Sequence, residues 1–386
     1  MAIQFIDLKR QQEQLSEDIY NNIRKVLDHG QYIMGPEIKE LEQKLGSYVG
    51  VKHAVACSSG TDALLMALMA YGVGQGDAIF TSPFTFISTA EVISLLGATP
   101  VFVDIDPDTF NIDPSMLHKA IQALECKSRE YYPLPDGYEG LRPRGIIAVD
   151  LFGQPADYDS IVKSVETNDL FVIEDAAQSF GAEYKGRKTC SLADISATSF
   201  FPAKPLGCYG DAGMVFTDNE VLYDWLASIR VHGKGTYKYD NIRIGINGRC
   251  DTLQAAILLA KFKIFQEEIQ EKQTIAQRYS LALKATPSLK TPHIQDGCLS
   301  AWAQYSIVSN RKDEIMISLK DAGIPTAVYY PKPLHLQDAF SYLGYNPGNF
   351  PVSEEIAGRI FSIPIHPYLT EEEQKYITDS ILSAVQ

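Results

Sequence analysis

The sequence predicts an α/β protein: a mostly parallel sheet in a large domain, followed by a smaller α+β C-terminal domain. Three observations predict it. Between His53 and Thr217 short apolar runs alternate with helix-like segments, the rhythm of a sheet covered by helices on both faces. Around residue 251 a long amphipathic helix breaks that rhythm, and shorter strands and helices follow it. The 386 residues suffice for two cores rather than one, and the division falls between 1–250 and 251–386.

Residues 10–28 read as a helix stopped by Gly30. Pro36 opens a second helix through Glu37-Ile-Lys-Glu-Leu-Glu42, in the first turn, where a missing N–H costs nothing. Strands are predicted at 53–57, 78–81, 100–103, 145–149, 170–174, 195–199 and 213–217, with helices between them at 61–70, 88–96, 115–124 and 157–167. The stretch from Cys126 to Arg144 is rich in Tyr and Pro, carries the turn Pro135-Asp-Gly137, and reads as a surface excursion. The long helix occupies 251–275, carrying Leu253, Ala256, Ile257, Ala260 and Phe262. Strands at 305–308 and 326–329 and helices at 312–322 and 371–384 complete the second domain.

Composition excludes several classes. A net charge of −14 opposes broad binding to nucleic acid or to an anionic membrane, which both need a basic field. No apolar run approaches the roughly 20 residues of a membrane helix. Residues 1–7 lack a basic segment leading into an apolar one, so no signal peptide is visible. The cysteines are scattered without a C-x-x-C pair, as expected of free thiols in a reducing compartment, and the histidines show no ligand spacing. The expectation is a cytoplasmic protein without a metal.

The chemistry is signalled by Lys204, in Ser199-Phe-Phe-Pro-Ala-Lys204-Pro-Leu-Gly-Cys-Tyr-Gly-Asp-Ala-Gly213. Pro202 fixes the approach and Pro205 biases Lys204 away from helical dihedrals, so the amine is held rather than free. Asp175 follows the apolar run Leu170-Phe-Val-Ile173, at the carboxyl end of a buried strand where open α/β sheets bind ligands. A positioned lysine and a strand-end aspartate are what pyridoxal phosphate (PLP) requires: a Schiff-base amine and a partner for the pyridinium nitrogen. Gln178, one turn beyond Asp175, can meet the phenolic oxygen. Cys57-Ser-Ser-Gly60-Thr61-Asp62 joins a strand to a helix and can cradle a phosphate, although an ordinary N-cap uses the same residue types. Ser199 ends the strand before Lys204 and can reach the same phosphate. Ser82-Pro-Phe84-Thr-Phe86 offers an aromatic for a ring face. Arg249, in Gly245-Ile-Asn247-Gly-Arg249, can fork onto a carboxylate. Gly72-Val-Gly-Gln-Gly76 resembles a dinucleotide loop but follows a helix and precedes a strand, the wrong order for that fingerprint.

Taken together, Gly60-Thr-Asp-Ala-Leu64, Phe84-Thr-Phe86, Val172-Ile-Glu-Asp-Ala-Ala-Gln178, Ser199 to Gly213 and Asn247-Gly-Arg-Cys-Asp-Thr-Leu-Gln-Ala-Ala256 resemble the DegT/DnrJ/StrS family of PLP-dependent sugar aminotransferases. The resemblance covers essentially the whole chain. It implies an aspartate-aminotransferase-like large domain (PLP fold type I) and a homodimer whose active site is completed by the neighbouring subunit. A finer likeness, through Phe5–Leu8, Gly30–Ile33, Ser199–Phe201, Leu253–Leu259 and Pro325–Val328, is to the WbpE-type subgroup. Those enzymes aminate the 3-keto group of UDP-2-acetamido-2-deoxy-3-oxo-glucuronic acid with L-glutamate, in surface polysaccharide biosynthesis. By matching position the resemblance implies that Lys204 is the catalytic Schiff-base lysine and Asp175 the pyridinium partner. It further implies that Gln178 meets the phenolic oxygen, that Gly60, Thr61 and Ser199 bind phosphate, and that Phe86 stacks on the ring. Asn247 is expected to reach the phosphate from the neighbouring subunit. Arg249 is expected on a substrate carboxylate and Tyr329 near the sugar. Two departures stand out: residues 126–144 are longer than the family's connection, and Tyr329 replaces an expected histidine. Rival readings are 4-amination of another nucleotide keto-sugar, a different PLP reaction such as dehydration, and a non-enzymatic sensor.

Overall fold

The computed structural model describes residues 3–165, 169–237 and 239–385. Two helices come first, α1 (Leu8–His29) and α2 (Pro36–Val49). Asp7 caps α1 by accepting from the Arg10 N–H at 3.0 Å, and Gly30 ends it in the left-handed region (φ 69°) that a side chain would strain. Alternation then begins: β1 (His53–Cys57), α3 (Gly60–Ala70), β2 (Asp77–Thr81), α4 (Ser88–Leu95), β3 (Thr99–Phe102), α5 (Pro114–Glu125), β4 (Arg142–Val149), α6 (Tyr158–Val165) and β5 (Phe171–Asp175). The last two residues of the helix expected at 157–167 lie outside the described residues. A short hairpin, β6 (Glu183–Tyr184) and β7 (Arg187–Lys188), precedes β8 (Ile195–Ser199), β9 (Gly213–Thr217) and α7 (Glu220–Ile229). Asn219 caps α7 through its side chain; this helix was not anticipated, because its cap follows directly on a strand.

Seven strands form one sheet in the order β1-β9-β8-β5-β4-β2-β3. Only β9 runs antiparallel to its neighbours; the pairs β2–β3, β2–β4, β4–β5 and β5–β8 are parallel. Alternating side chains feed opposite faces. Val55 and Cys57 of β1 join α3, α4 and α7 on one side. Ala54 and Ala56 pack with α2 on the other, where α5 and α6 cover the remaining strands.

The expected helix at 251–275 is two helices, α8 (Thr252–Lys261) and α9 (Phe265–Leu283). Tight turns from Lys263 N–H to Ala260 C=O and from Ile264 N–H to Lys261 C=O break it, and Ile264 leaves helical dihedrals (φ −105°, ψ 0°). The break is physical: α8 is apolar around most of its circumference and buried, whereas α9 buries one side. Ala255, Leu258 and Leu259 of α8 pack in the cluster that contains α2 and the edge of the sheet, so the packing of the first body runs past residue 250. Residues 331–350 return to that body as well, with Leu334, Phe340, Leu343 and Phe350 against the sheet.

The second body contains β11 (Tyr305–Val308), paired antiparallel with β12 (Ile360–Ile363), and α10 (Lys312–Asp321), α11 (Pro351–Arg359) and α12 (Glu371–Val385); β10 (Cys298–Leu299) pairs back onto β6. The strand expected at 326–329 is a single bridge, Ala327 to Ser362, after which the chain leaves the sheet. The segment 126–144 is more than a surface excursion. Tyr132 and Leu134 are buried, the Tyr132 hydroxyl accepts from Asp104 N–H at 2.8 Å, and Asp136 N–H bonds Leu343 C=O. Among the described residues no helix is long and apolar enough to cross a membrane.

Lys261 on α8 is fully buried, with Nζ 4.3 Å from the Tyr209 ring centre and no hydrogen-bond acceptor among the described residues. Burial lowers its pKa from 10.5 to about 8. Below pH 8 the ammonium is charged in both states and the folded state bears the desolvation cost. Between pH 8 and 10.5 the unfolded chain binds more protons, so stability rises with pH. Lys261→Met is expected to stabilise the protein at pH 7 by about 1–3 kcal/mol. Urea unfolding at pH 7 and pH 10 should show that advantage shrinking at the higher pH.

Candidate active site

Parallel register brings the ends of β1, β2, β5 and β8 to one edge of the sheet, and the predicted residues gather there. β1 ends at Cys57, Ser59 caps α3 by accepting from Asp62 N–H at 3.0 Å, and Gly60 and Thr61 open the helix. The first amides of a helix have no partner within it and favour an anion. Gly60 is required by close packing, because a Cβ built on it would lie 2.6 Å from Ser199 Cβ at the end of β8. Thr61 Oγ1 lies 2.7 Å from Ser88 Oγ on α4. Ser199 Oγ accepts from Phe201 N–H at 3.2 Å, leaving its proton to point elsewhere.

The lysine loop is a turn stapled to β8 and β9. Phe200 N–H bonds Ala212 C=O and Cys208 N–H returns to Phe200 C=O, both at 2.8 Å. Lys204 N–H closes onto Phe201 C=O at 2.8 Å. The lysine is half-buried. Burial lowers the pKa of its amine, and the negative charge of Asp175 opposes that shift.

Asp175, the last residue of β5, is buried. Its Oδ2 accepts from Thr89 Oγ1 at 2.9 Å and its Oδ1 from Ala177 N–H at 3.2 Å. Burial raises its pKa; Thr89, Ala177 and the charge of Lys204 pull the other way. Neighbouring Glu174 points to the opposite face and accepts from Cys190 N–H, Leu192 N–H and Ser196 Oγ. The two acids are therefore divided, one holding the β7–β8 connection and one facing the site.

Gln178 is committed at both ends: Oε1 accepts from Phe152 N–H at 2.7 Å, and Nε2 donates to the Tyr330 hydroxyl at 3.2 Å. Phe84 is 1% exposed and belongs to the core, whereas Phe86 is 53% exposed and can meet a ligand. Tyr329 is half-buried, its ring 6.4 Å from Phe5 and 5.8 Å from Tyr330. The Tyr329–Tyr330 peptide is cis.

Asn247 and Arg249 lie on a strand-like segment beside β1, with bridges from Arg249 to Cys57 and from Asn247 to Val231. Arg249 Nε donates to Asn247 Oδ1 at 2.9 Å, and Asn247 is exposed. Among the described residues neither side chain bonds Lys204, Asp175 or Ser199 in the same chain.

Sequence reasoning missed Tyr330, Ser88 and Thr89. Tyr330 sits between Phe86 and Gln178, with its ring 6.5 Å from that of Phe86, and the signal was a tyrosine pair leading into Pro331. Ser88 and Thr89 were legible only as two hydroxyls following the aromatic loop.

A model of the DegT/DnrJ/EryC1/StrS aminotransferase family matches residues 13–382. A Pseudomonas aeruginosa protein named UDP-2-acetamido-2-deoxy-3-oxo-D-glucuronate aminotransferase is 46% identical, over 97% of this chain and 98% of its own. The solved structure of a DegT/DnrJ/EryC1/StrS aminotransferase from Brucella abortus superposes with a TM-score of 0.93 at 48% identity, covering 99% of both chains. NtdA from Bacillus subtilis, solved with bound cofactor PMP, gives 0.84 at 29% identity, covering 96% of this chain and 82% of that one.

Gly60→Ala is expected to force apart α3 and the end of β8. Overpacking of about 1–3 kcal/mol should appear as a loss of coenzyme affinity of about 5- to 150-fold, read by titrating the apo-protein. Wild-type affinity in the variant would show that the cradle is not built on that contact.

Proposed function

Because the chain belongs to the DegT/DnrJ/EryC1/StrS aminotransferase family, we propose that it is a PLP-dependent transaminase acting on a nucleotide-linked keto-sugar. It takes the amino group of L-glutamate and delivers it to the 3-keto group of UDP-2-acetamido-2-deoxy-3-oxo-glucuronic acid, for surface polysaccharide biosynthesis. One convergence carries this reading. A half-buried lysine feels the charge of a buried aspartate, beside a helix N-terminus where Gly60 has no room for a side chain.

The residues fit the coenzyme. Asp175 is a buried carboxylate that, among the described residues, has two donors but no cation bonded to it, which suits a protonated ring nitrogen. The amides of Gly60 and Thr61, with the Ser199 hydroxyl, suit a phosphate. Phe86 is free to lie on a ring face, and Lys204 supplies the covalent link. When bound, PLP supplies an electron sink for the carbanion at the donor's Cα and carries the amino group between the two half-reactions. Lys204, its pKa lowered by burial, is the group that moves the proton at that Cα. Gln178 offers the phenolic oxygen the second proton of its Nε2, the first being on Tyr330. Arg249 receives a substrate carboxylate, and Tyr329 borders the sugar.

The active unit is a homodimer in which Asn247 of the partner subunit completes the phosphate site. Exposed apolar side chains support this: Ile33, Met34, Phe201 and Ile244 are exposed, the last by 85%. The cytoplasm is the place of action, in keeping with six free thiols. Retention of the lysine favours transamination over dehydration.

Incubating the protein with glutamate should remove the visible band of the lysine-bound coenzyme. Offered a panel of nucleotide keto-sugars, the protein should then aminate the UDP-3-oxo-glucuronate, as read by mass and NMR. Lys204→Ala should lose both the band and turnover; a 4-amino product or a dehydrated sugar would replace the assignment. For the shared site, Lys204→Ala and Asn247→Ala homodimers should both fail. A randomly mixed population should regain about a quarter of wild-type activity through heterodimers with one intact site, and verified heterodimers without recovery would place Asn247 in its own subunit's site.

A further inference from the structure

Two consecutive hydroxyls open α4, and each reaches a different end of the site. Ser88 Oγ meets Thr61 Oγ1 at 2.7 Å, and Thr89 Oγ1 donates to Asp175 Oδ2 at 2.9 Å. Behind Thr89 lies Thr85, the two Oγ1 atoms 3.2 Å apart. Thr85 and Thr89 are 2% and 1% exposed. A buried helical threonine ordinarily closes onto the carbonyl one turn back; Thr89 instead bonds a strand 86 residues away. The direction of the chain follows from chemistry. An ionised carboxylate only accepts, and a threonine has one proton, so Thr89 donates to Asp175 and Thr85 donates to Thr89.

We propose that Thr89, backed by Thr85, is a positioning residue: its hydroxyl anchors Asp175 Oδ2 and stabilises the carboxylate as an anion, the form that pairs with a protonated ring nitrogen. The inference rests on the reading of this site as a PLP site. The groups that face the carboxylate are few. Ala177 N–H holds the other oxygen at the longer distance of 3.2 Å, and Lys204 acts through its charge. Burial drives Asp175 toward its neutral form, and the Thr89 hydrogen bond is the largest influence against it. A neutral carboxyl group cannot offer a charge to the ring.

Thr89→Val removes the hydroxyl at similar volume, Thr89→Ser keeps it, and Thr85→Val removes only the second link. The readout is the affinity of each apo-protein for pyridoxal 5′-phosphate and for its 1-deaza analogue, in which carbon replaces the ring nitrogen. Losing a hydrogen bond to a charged group predicts about a tenfold weaker affinity for pyridoxal phosphate in Thr89→Val, with the analogue unaffected. Thr89→Ser should restore the selectivity, and Thr85→Val should show a smaller loss of the same selective kind. Equal loss of both ligands in Thr89→Val, or loss of neither, overturns the proposal. Should Thr89→Val fail to fold, a Thr85→Val protein without selective loss overturns it. A wild-type protein that takes up neither ligand overturns the PLP reading itself.

Discussion

A carboxylate in a nearly dry place must find donors or a positive charge, and Asp175 imposes that requirement on this fold. It ends β5, with β4 and β8 hydrogen-bonded on either side. The strand cannot move without tearing the middle of the sheet, so the acid is fixed and its partners must come to it. Thr89 comes from α4, Ala177 from the following turn, and Lys204 from the loop after β8. Three separate stretches of chain are brought together by one anion.

The same edge explains the rest of the constellation. Strands that run in parallel end together, so the loops after β1, β2 and β8 meet at the end of β5. Gly60 allows the α3 N-terminus to touch Ser199, which sets the helix amides beside the residue that starts the lysine loop. Antiparallel β9 contributes in reverse: it begins at this edge, and its entry at Ala212 takes the hydrogen bond that staples Phe200. Glu174 shows how local the assignment is. One residue from Asp175 and equally buried, it faces the other side of the pleat and holds the backbone of the β7–β8 connection.

The segment 126–144 acts at a distance from the chemistry. Tyr132 packs with Phe350, and Asp136 is bonded to Leu343, so the excursion braces the chain that runs through 331–350. That chain in turn holds the aromatic loop, through Leu334 N–H to Pro83 C=O at 2.7 Å and through the ring of Tyr330 beside Phe84 and Phe86. The exposed face of Phe86 is thus positioned by two elements far from it in sequence. The packing of α8 and 331–350 onto the first body shows that the two bodies share structure across residue 250.

Short-range physics made much of this legible from the sequence by itself. β-Branched and apolar runs marked most of the sheet strands, and 195–199 and 213–217 were predicted to the residue. Gly30 and Pro36 marked helix ends, and the prolines around Lys204 marked a held amine. Local pattern could not say that the helix at 251–275 breaks at Ile264, since both halves are apolar enough to continue. Nor could it say that 326–329 leaves its sheet after one bridge, because pairing depends on a strand 35 residues beyond Ala327, at Ser362. The hydroxyls of Thr85 and Thr89 were invisible for the same reason. A threonine acquires a role in the site only when the register of the sheet sets a buried carboxylate 2.9 Å from its oxygen, and that distance is a property of the assembled layers, not of the chain.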